Sequence, residues 1–329
     1  MVISQTPLRI SFAGGGTDMS SFYKDEDGLV LSTTIDKYVY VIVKERFDEK
    51  IYINYSEKER VDDISEIKHD LVRESVKKSG VKNGVEITTL ADIPSEGSGL
   101  GSSSSITVGL LNALYHFNGV QVTAEQLARE ACEIEIDICG KPIGKQDQYV
   151  AAYGGLNTIT FHADERVSVM KHSIFNNYFL RFGSNLLLFF TNVTRNANVI
   201  LEKQKQETDS NREVLRKMRN YVGEATNAII DGKFDEVGRI LHESWLLKKT
   251  LVNSISNPDI DEMYEKALSA GALGGKICGA GGGGFLLLYV PKDQQDRVRN
   301  ALKNYRELPF MLEKFGSKVI FNYRRYPLK

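Results

Sequence analysis

Pro94-Ser95-Glu96-Gly97-Ser98-Gly99-Leu100-Gly101-Ser102-Ser103-Ser104-Ser105 runs straight into the apolar stretch Ile106 to Phe117. Gly84 to Leu90, ahead of it, reads as a strand, and Ile106 to Phe117 as a helix. The loop between them carries three glycines and four consecutive serines. At a helix entrance this composition gathers backbone N–H groups and hydroxyls around the positive end of the helix dipole. That arrangement suits anionic oxygens, phosphate above all. A flexible Ser/Gly linker is the competing reading, but linkers do not usually separate a strand from an amphipathic helix. Gly97, Ser98, Gly99, Leu100, Gly101, Ser102, Ser103 and Ser104 are therefore candidate ligands of a nucleotide phosphate.

Neither standard nucleotide motif fits. A dinucleotide fingerprint needs a third glycine where Ser102 stands after Gly97 and Gly99. The two stretches that approach a Walker loop, Gly140 to Lys145 and Gly271 to Lys276, are each one residue short. They are followed by Gln146 and Ile277, which offer no hydroxyl for magnesium. Gly279 to Gly284 has the Gly-x-Gly-x-x-Gly spacing, but the next run, Phe285 to Val290, reads as a buried strand and not as a helix.

At 329 residues the chain is long enough for two domains, and 42% hydrophobic content supplies a full core. A net charge of −1 excludes a broad basic surface, so neither nucleic acid nor an anionic membrane is an expected partner. Three cysteines without zinc spacing suit a reducing compartment. With no run of about 18 apolar residues, the expected location is the cytoplasm. The five histidines form no metal pattern.

Leu8 to Phe12, Leu29 to Ile35, Tyr38 to Val43 and Ile51 to Tyr55 read as strands, and Glu66 to Lys78 as a helix. Thr123 with Gln126 three residues on opens a helix expected to reach about Ile138. Leu156 to Phe161 and Val167 to Met170 look like an antiparallel pair. From about residue 185 the order is strand, a long helical stretch, strand, strand, the helix Lys292 to Tyr305, and a final strand, Lys318 to Tyr323. That order suggests a split βαβ, ferredoxin-like unit, with a domain boundary near residue 180.

Three separated segments then resemble the signature motifs of the GHMP kinases, the superfamily of galactokinase, homoserine kinase, mevalonate kinase and phosphomevalonate kinase. Thr6 to Asp18 (with Pro7-Leu8-Arg9-Ile10 and Gly14-Gly15-Gly16-Thr17-Asp18) is similar to the substrate motif, Pro94 to Ser105 to the phosphate loop, and Lys276 to Gly284 to the third, glycine-rich motif. Within the superfamily the chain is most similar to the D-glycero-D-manno-heptose 7-phosphate kinases, through Pro7 to Asp18, Gly144 to Tyr149 and Ala270 to Lys276. Galactokinases carry Glu and His where this chain has Gly15 and Gly16, which argues against galactose and leaves room for a bulkier sugar.

The resemblance implies an α+β fold: an N-terminal domain over 1–180, like the second domain of ribosomal protein S5, and a ferredoxin-like domain over 181–329. The active site lies between them. It implies an ATP- and Mg2+-dependent enzyme that phosphorylates the C1 hydroxyl of a heptose 7-phosphate, as a monomer or homodimer; a sugar- and ATP-binding regulator is the rival reading. Asp147 takes the catalytic aspartate position, with Arg9 as its basic partner. For each, a structural role is the alternative: a carboxylate at a helix N-terminus, or a simple buried ion pair. Ser103 and Glu135 match the magnesium ligands, with Ser102, Ser104, Glu133 and Asp137 open as alternatives. Gly14, Gly15, Gly16, Thr17, Asp18, Gly281 and Gly282 fall to the substrate side. Asp18 is the expected hydroxyl ligand, helix capping being its alternative. A phosphorylated substrate needs a second anion site, for which Arg195 and Lys248-Lys249 are candidates.

Overall fold

In the computed structural model, which describes residues 1–94, 97–173, 176–194 and 197–323, the chain opens with β1 (Val2–Ala13), an apolar strand buried along its last eight residues. The short α1 (Ser20–Tyr23) leads to β2 (Gly28–Glu45), eighteen residues rich in β-branched and aromatic side chains. The sequence reading of two strands here is corrected to one. Pairing runs Pro7↔Tyr38 and then Leu8↔Ile35, so Asp36 and Lys37 bulge out of a continuous ladder. Then come β3 (Ile51–Asn54), β4 (Lys58–Val61), α2 (Asp70–Ser79) and β5 (Val85–Ala91). After the glycine-serine loop follow α3 (Ser102–Phe117), α4 (Ala124–Cys132), α5 (Gln146–Tyr153), β6 (Asn157–Phe161), β7 (Val167–Lys171) and α6 (Asn176–Gly183).

The second half begins with β8 (Leu186–Phe190), followed by four helices: α7 (Ala197–Gln206), α8 (Arg212–Ile230), α9 (Phe234–Leu251) and α10 (Pro258–Ser269). It closes with β9 (Gly274–Ile277), β10 (Phe285–Tyr289), α11 (Gln295–Ala301), β11 (Leu312–Glu313) and β12 (Lys318–Asn322). Only β8, β10 and β9 form the second sheet, in that order and antiparallel throughout. The final strand was expected in that unit, yet β12 pairs with β1 and β11 with β2. Strand pairing thus divides the chain differently from 1–180 and 181–329: the second sheet is inserted between strands of the first.

α3 explains how the phosphate loop is placed. Its Leu110, Ala113 and Leu114 pack into the sheet, while Val108 and Leu111 face the layer that includes α4 and α5. A helix apolar on nearly every side can lie only in the middle of the domain. Its N-terminus therefore emerges at the centre of the molecule, facing the second sheet.

The two halves meet backbone to backbone. Gly99, with φ +75°, lies against Cys278 and Gly279, and a β-carbon on Gly279 would stand 2.8 Å from the Gly99 Cα. Gly284 abuts Ser98 in the same way. Only glycine allows this approach in a left-handed conformation. Gly99→Ala should therefore lower unfolding stability by about 2 kcal/mol or more, measured by denaturant or thermal unfolding; a change within 0.5 kcal/mol or so would show that the contact has slack.

Candidate active site

A cavity of about 810 Å³ lies where the halves meet. One wall is the phosphate loop and the entrance of α3; facing it are Gly279, Ala280 and Lys276; α7 contributes Ala197, Asn198, Leu201 and Gln204. Gly101, at φ +77°, precedes α3, and no side chain caps the helix. The N–H groups of its first turn thus carry no side-chain cap, the arrangement by which a helix entrance can take an anion. Of the proposed loop residues, Gly97, Ser98, Gly99, Gly101, Ser102, Ser103 and Ser104 line the cavity. Leu100 does not: it is fully buried, and its carbonyl accepts from the Arg9 N–H at 3.0 Å.

Arg9 is the hub of the site. Its Nε and Nη2 donate to the two carboxylate oxygens of Asp147 at 2.7 and 2.6 Å, and its Nη1 donates to the Gly99 carbonyl at 2.6 Å. Burial opposes the charge of this nearly inaccessible guanidinium, but Asp147 overrides it and raises the Arg9 pKa. Asp147 lies in the first turn of α5, so the carboxylate-at-a-dipole and ion-pair descriptions both hold alongside its exposure to the cavity. Gln146 Nε2 donates to Asp147 Oδ1 at 3.2 Å, and Ser11 Oγ to Gln146 Oε1 at the same distance. The carboxylate is fixed from three sides, with an edge left to solvent.

Glu135 is fully buried. Its Oε1 accepts from Ser103 Oγ at 2.6 Å, and its Oε2 from Ser104 Oγ at 2.7 Å and Gln148 Nε2 at 2.6 Å. The helix that carries it changes to a π turn over Glu133–Ile138, the kind of local widening that often marks functional sites. That turn sets the register which sequence left open: Glu133 points away to Lys78, at 2.7 and 2.6 Å, and Asp137 is exposed. Lys141, which sequence reasoning missed, places Nζ 3.0 Å from Ser103 Oγ and 3.5 Å from Glu135 Oε1. A cation is thus already drawn to the space beside this hydroxyl and carboxylate. No cluster of three or more His, Cys, Asp or Glu residues suited to a metal occurs among the described residues. The donor set fits a magnesium ion that takes its other ligands from phosphates and water.

On the substrate side Gly15, Gly16 and Asp18 line the cavity. A β-carbon on Gly15 would meet nothing within 4 Å, so that position does open space, whereas Gly16 is pressed against Gln204. Asp18 accepts from the Gly16 N–H at 3.0 Å and from the Gln146 N–H at 3.3 Å, so it also holds the start of α5. Burial, and then the charge of Asp147, raise its pKa. Four expected substrate residues lie elsewhere. Thr17 is fully buried and locks the turn, with Oγ1 bonded to the Gly14 carbonyl at 2.8 Å and to both backbone groups of Leu29 at 3.0 Å. Gly14 is the other half of that turn. Gly281 and Gly282 face Ile255, whose carbonyl accepts from the Gly282 N–H at 2.6 Å.

Among the anion candidates, Lys248 lines the cavity and donates to the Gly279 carbonyl, while Lys249 pairs with Asp261 at 3.0 Å. Arg195 lies outside the described residues. Sequence analysis placed Lys276 at the start of the third motif but did not single it out as a ligand. It is 3% exposed and lines the cavity.

A phosphate-loop helix, an Arg-held aspartate and a glycine-rich facing loop on two interleaved domains are the elements of a small-molecule kinase. Residues 67–155 match the family model of the GHMP kinases N terminal domain and residues 225–307 that of the GHMP kinases C terminal. The chain belongs to the GHMP kinases, phosphotransferases that use ATP as donor and an alcohol group as acceptor. It is 32% identical, over 91% of its length and 92% of the relative's, to a D-glycero-alpha-D-manno-heptose 7-phosphate kinase of Campylobacter jejuni. Among solved structures, a D-glycero-D-manno-heptose 1-phosphate kinase from Bacteroides thetaiotaomicron superposes with a TM-score of 0.82 at 28% identity, covering 98% of this chain and 100% of that one. A Lactococcus lactis galactokinase in complex with galactose (TM-score 0.73, 20% identity, 96% and 94% coverage) shares the fold. The chain is a GHMP sugar kinase.

Asp147→Asn keeps the side-chain volume and loses the charge. Turnover should fall by about a hundredfold or more, while ADP affinity, measured calorimetrically, stays near that of the parent. Near-parental turnover in the folded variant would remove Asp147 from the chemistry.

Proposed function

We propose that this kinase transfers the γ-phosphoryl group of ATP to the C1 hydroxyl of D-glycero-D-manno-heptose 7-phosphate, giving the 1,7-bisphosphate for nucleotide-activated heptose. The observation that carries the reading is the similarity to a heptose 7-phosphate kinase along nine-tenths of both chains. Open space at Gly15, where galactokinases carry a side chain, supports it.

The residues divide the work as follows. The uncapped N–H groups of α3 and the hydroxyls of Ser102 and Ser103 hold the nucleotide phosphates. Leu71 and Ile106, which line one part of the cavity, receive the apolar part of the nucleotide. Asp18 accepts a hydrogen bond from a sugar hydroxyl. Asp147, fixed by Arg9, orients the C1 hydroxyl and takes its proton as the new O–P bond forms; the bond from the γ-phosphorus to the bridging oxygen breaks, and ADP leaves with that electron pair. Arg9 offsets the charge that builds up on the transferred group. Ser103 and Glu135 hold magnesium, which neutralises phosphate charge when bound.

The test is ADP release with heptose 7-phosphate, heptose 1-phosphate, free heptose, galactose and mevalonate, followed by phosphorus NMR of the product. Heptose 7-phosphate should be turned over most efficiently, with the new phosphate on C1. Preference for heptose 1-phosphate, or for galactose, would overturn the assignment.

Glu135→Ala should raise the magnesium concentration needed for nucleotide binding, because the ion loses its protein carboxylate. If parent and variant titrate alike while Glu133→Ala shifts the curve, the metal is held elsewhere on the helix.

A further inference from the structure

We propose that Lys276 receives the phosphate that the acceptor already carries, making the β9 side of the cavity a second anion subsite. The inference rests on the heptose 7-phosphate reading and names the residue that selects the substrate.

Lys276 sits opposite Leu287 in the ladder of β9 with β10, and its side chain is 3% exposed at the cavity wall. Among the described residues its ammonium has no hydrogen-bond or carboxylate partner. A buried cation in that position costs stability, and natural proteins pair or neutralise it. Burial pushes the Lys276 pKa down to about 8, and Arg9 adds to the shift; the Cys278 thiol and Asp18 oppose it. From α9, Lys248 reaches the neighbouring Gly279 carbonyl.

The other cations around the cavity have given their donors to protein groups. Arg9 spends its fork on Asp147 and its third nitrogen on Gly99. Lys141 is drawn to Ser103 and Glu135, on the nucleotide side. Lys145 pairs with Glu165. Lys276 lines the same cavity as Asp18, the expected sugar ligand. Among the described residues, Arg9 and Lys276 lie near Cys278, and Asp147 is already paired with Arg9. A phosphate dianion on the acceptor supplies the Lys276 ammonium with a counter-charge and with three oxygens for its donors.

The test compares kcat/KM for heptose 7-phosphate and for free heptose in the parent, Lys276→Met and Lys276→Arg enzymes. ADP affinity, measured calorimetrically, serves as the check on folding. The preference for the phosphorylated sugar should fall by about 10- to 100-fold in Lys276→Met. The loss should appear in KM for the phosphosugar, with ADP affinity within about twofold of the parent, and Lys276→Arg should recover part of it. A second readout is proton uptake when heptose 7-phosphate binds at pH 8.5, seen by calorimetry in buffers of different ionisation enthalpy. The parent should take up a proton, because a phosphate partner raises the Lys276 pKa, and Lys276→Met should not. A parent preference that survives in Lys276→Met, or a loss confined to kcat, overturns the subsite and leaves the substrate reading standing. A parent with no preference for the phosphorylated sugar overturns the substrate reading and the subsite together.

Discussion

Everything in the site hangs from the Arg9–Asp147 fork. One side chain ties β1, the phosphate loop and α5 together, and the Arg9 N–H bond to Leu100 and the Ser11 bond to Gln146 brace the same three elements. A lysine could not replace it: only a planar guanidinium can meet both carboxylate oxygens and still donate to the Gly99 carbonyl. Of the two partners only Arg9 is fully enclosed, so it is the guanidinium that depends on the pair for its counter-charge. The neighbouring glycine is part of the same constraint. A β-carbon on Gly101 would stand 3.1 Å from Arg9 Cγ and 3.3 Å from Asp147 Oδ2, so the loop can close over the pair only without a side chain there.

Three carboxylates then mark three stations in or behind the cavity wall, two of them with a cation beside them. Glu135, behind the wall, has Lys141 and Asp147 has Arg9, while Asp18 shares the cavity with Lys276. In the proposed function the first serves the nucleotide, the second the transfer itself and the third the acceptor. Charge is thus balanced to different degrees along the site. It is tight at the centre, where geometry must not change, and loose at the two ends, where ligands enter.

The fold class was legible because its signals are local. The Gly/Ser loop between strand and helix, the spacing of three motifs and the buried-strand pattern of Phe285 to Val290 each need only a few residues. That Arg9 would meet Asp147, and Ser103 an acidic residue of the 133–137 run, was legible for the same reason, although which acidic residue faces the loop depended on a π turn that propensity does not reveal. What was not legible is long-range. Nothing in Lys318 to Asn322 says that it pairs with β1 and not with the second sheet. Thr17 looks like a ligand until the carbonyls around its hydroxyl are seen. Lys276 is only the first residue of the glycine-rich motif until the cavity beside it is visible.

The pairing of β1 with β12 also bears on how the chain is made. Val2 lies opposite Asn322, and the first sheet is closed along that edge by a strand that leaves the ribosome some three hundred residues later. Between those moments β1 presents an open row of N–H and C=O groups, and contacts of such sequence separation are slow to form. The insertion of the second sheet between strands of the first makes its folding a precondition for sealing that edge. Vectorial synthesis therefore gives this kinase a window in which the nascent first domain needs shielding from other strands, and truncation before β12 leaves that window permanently open.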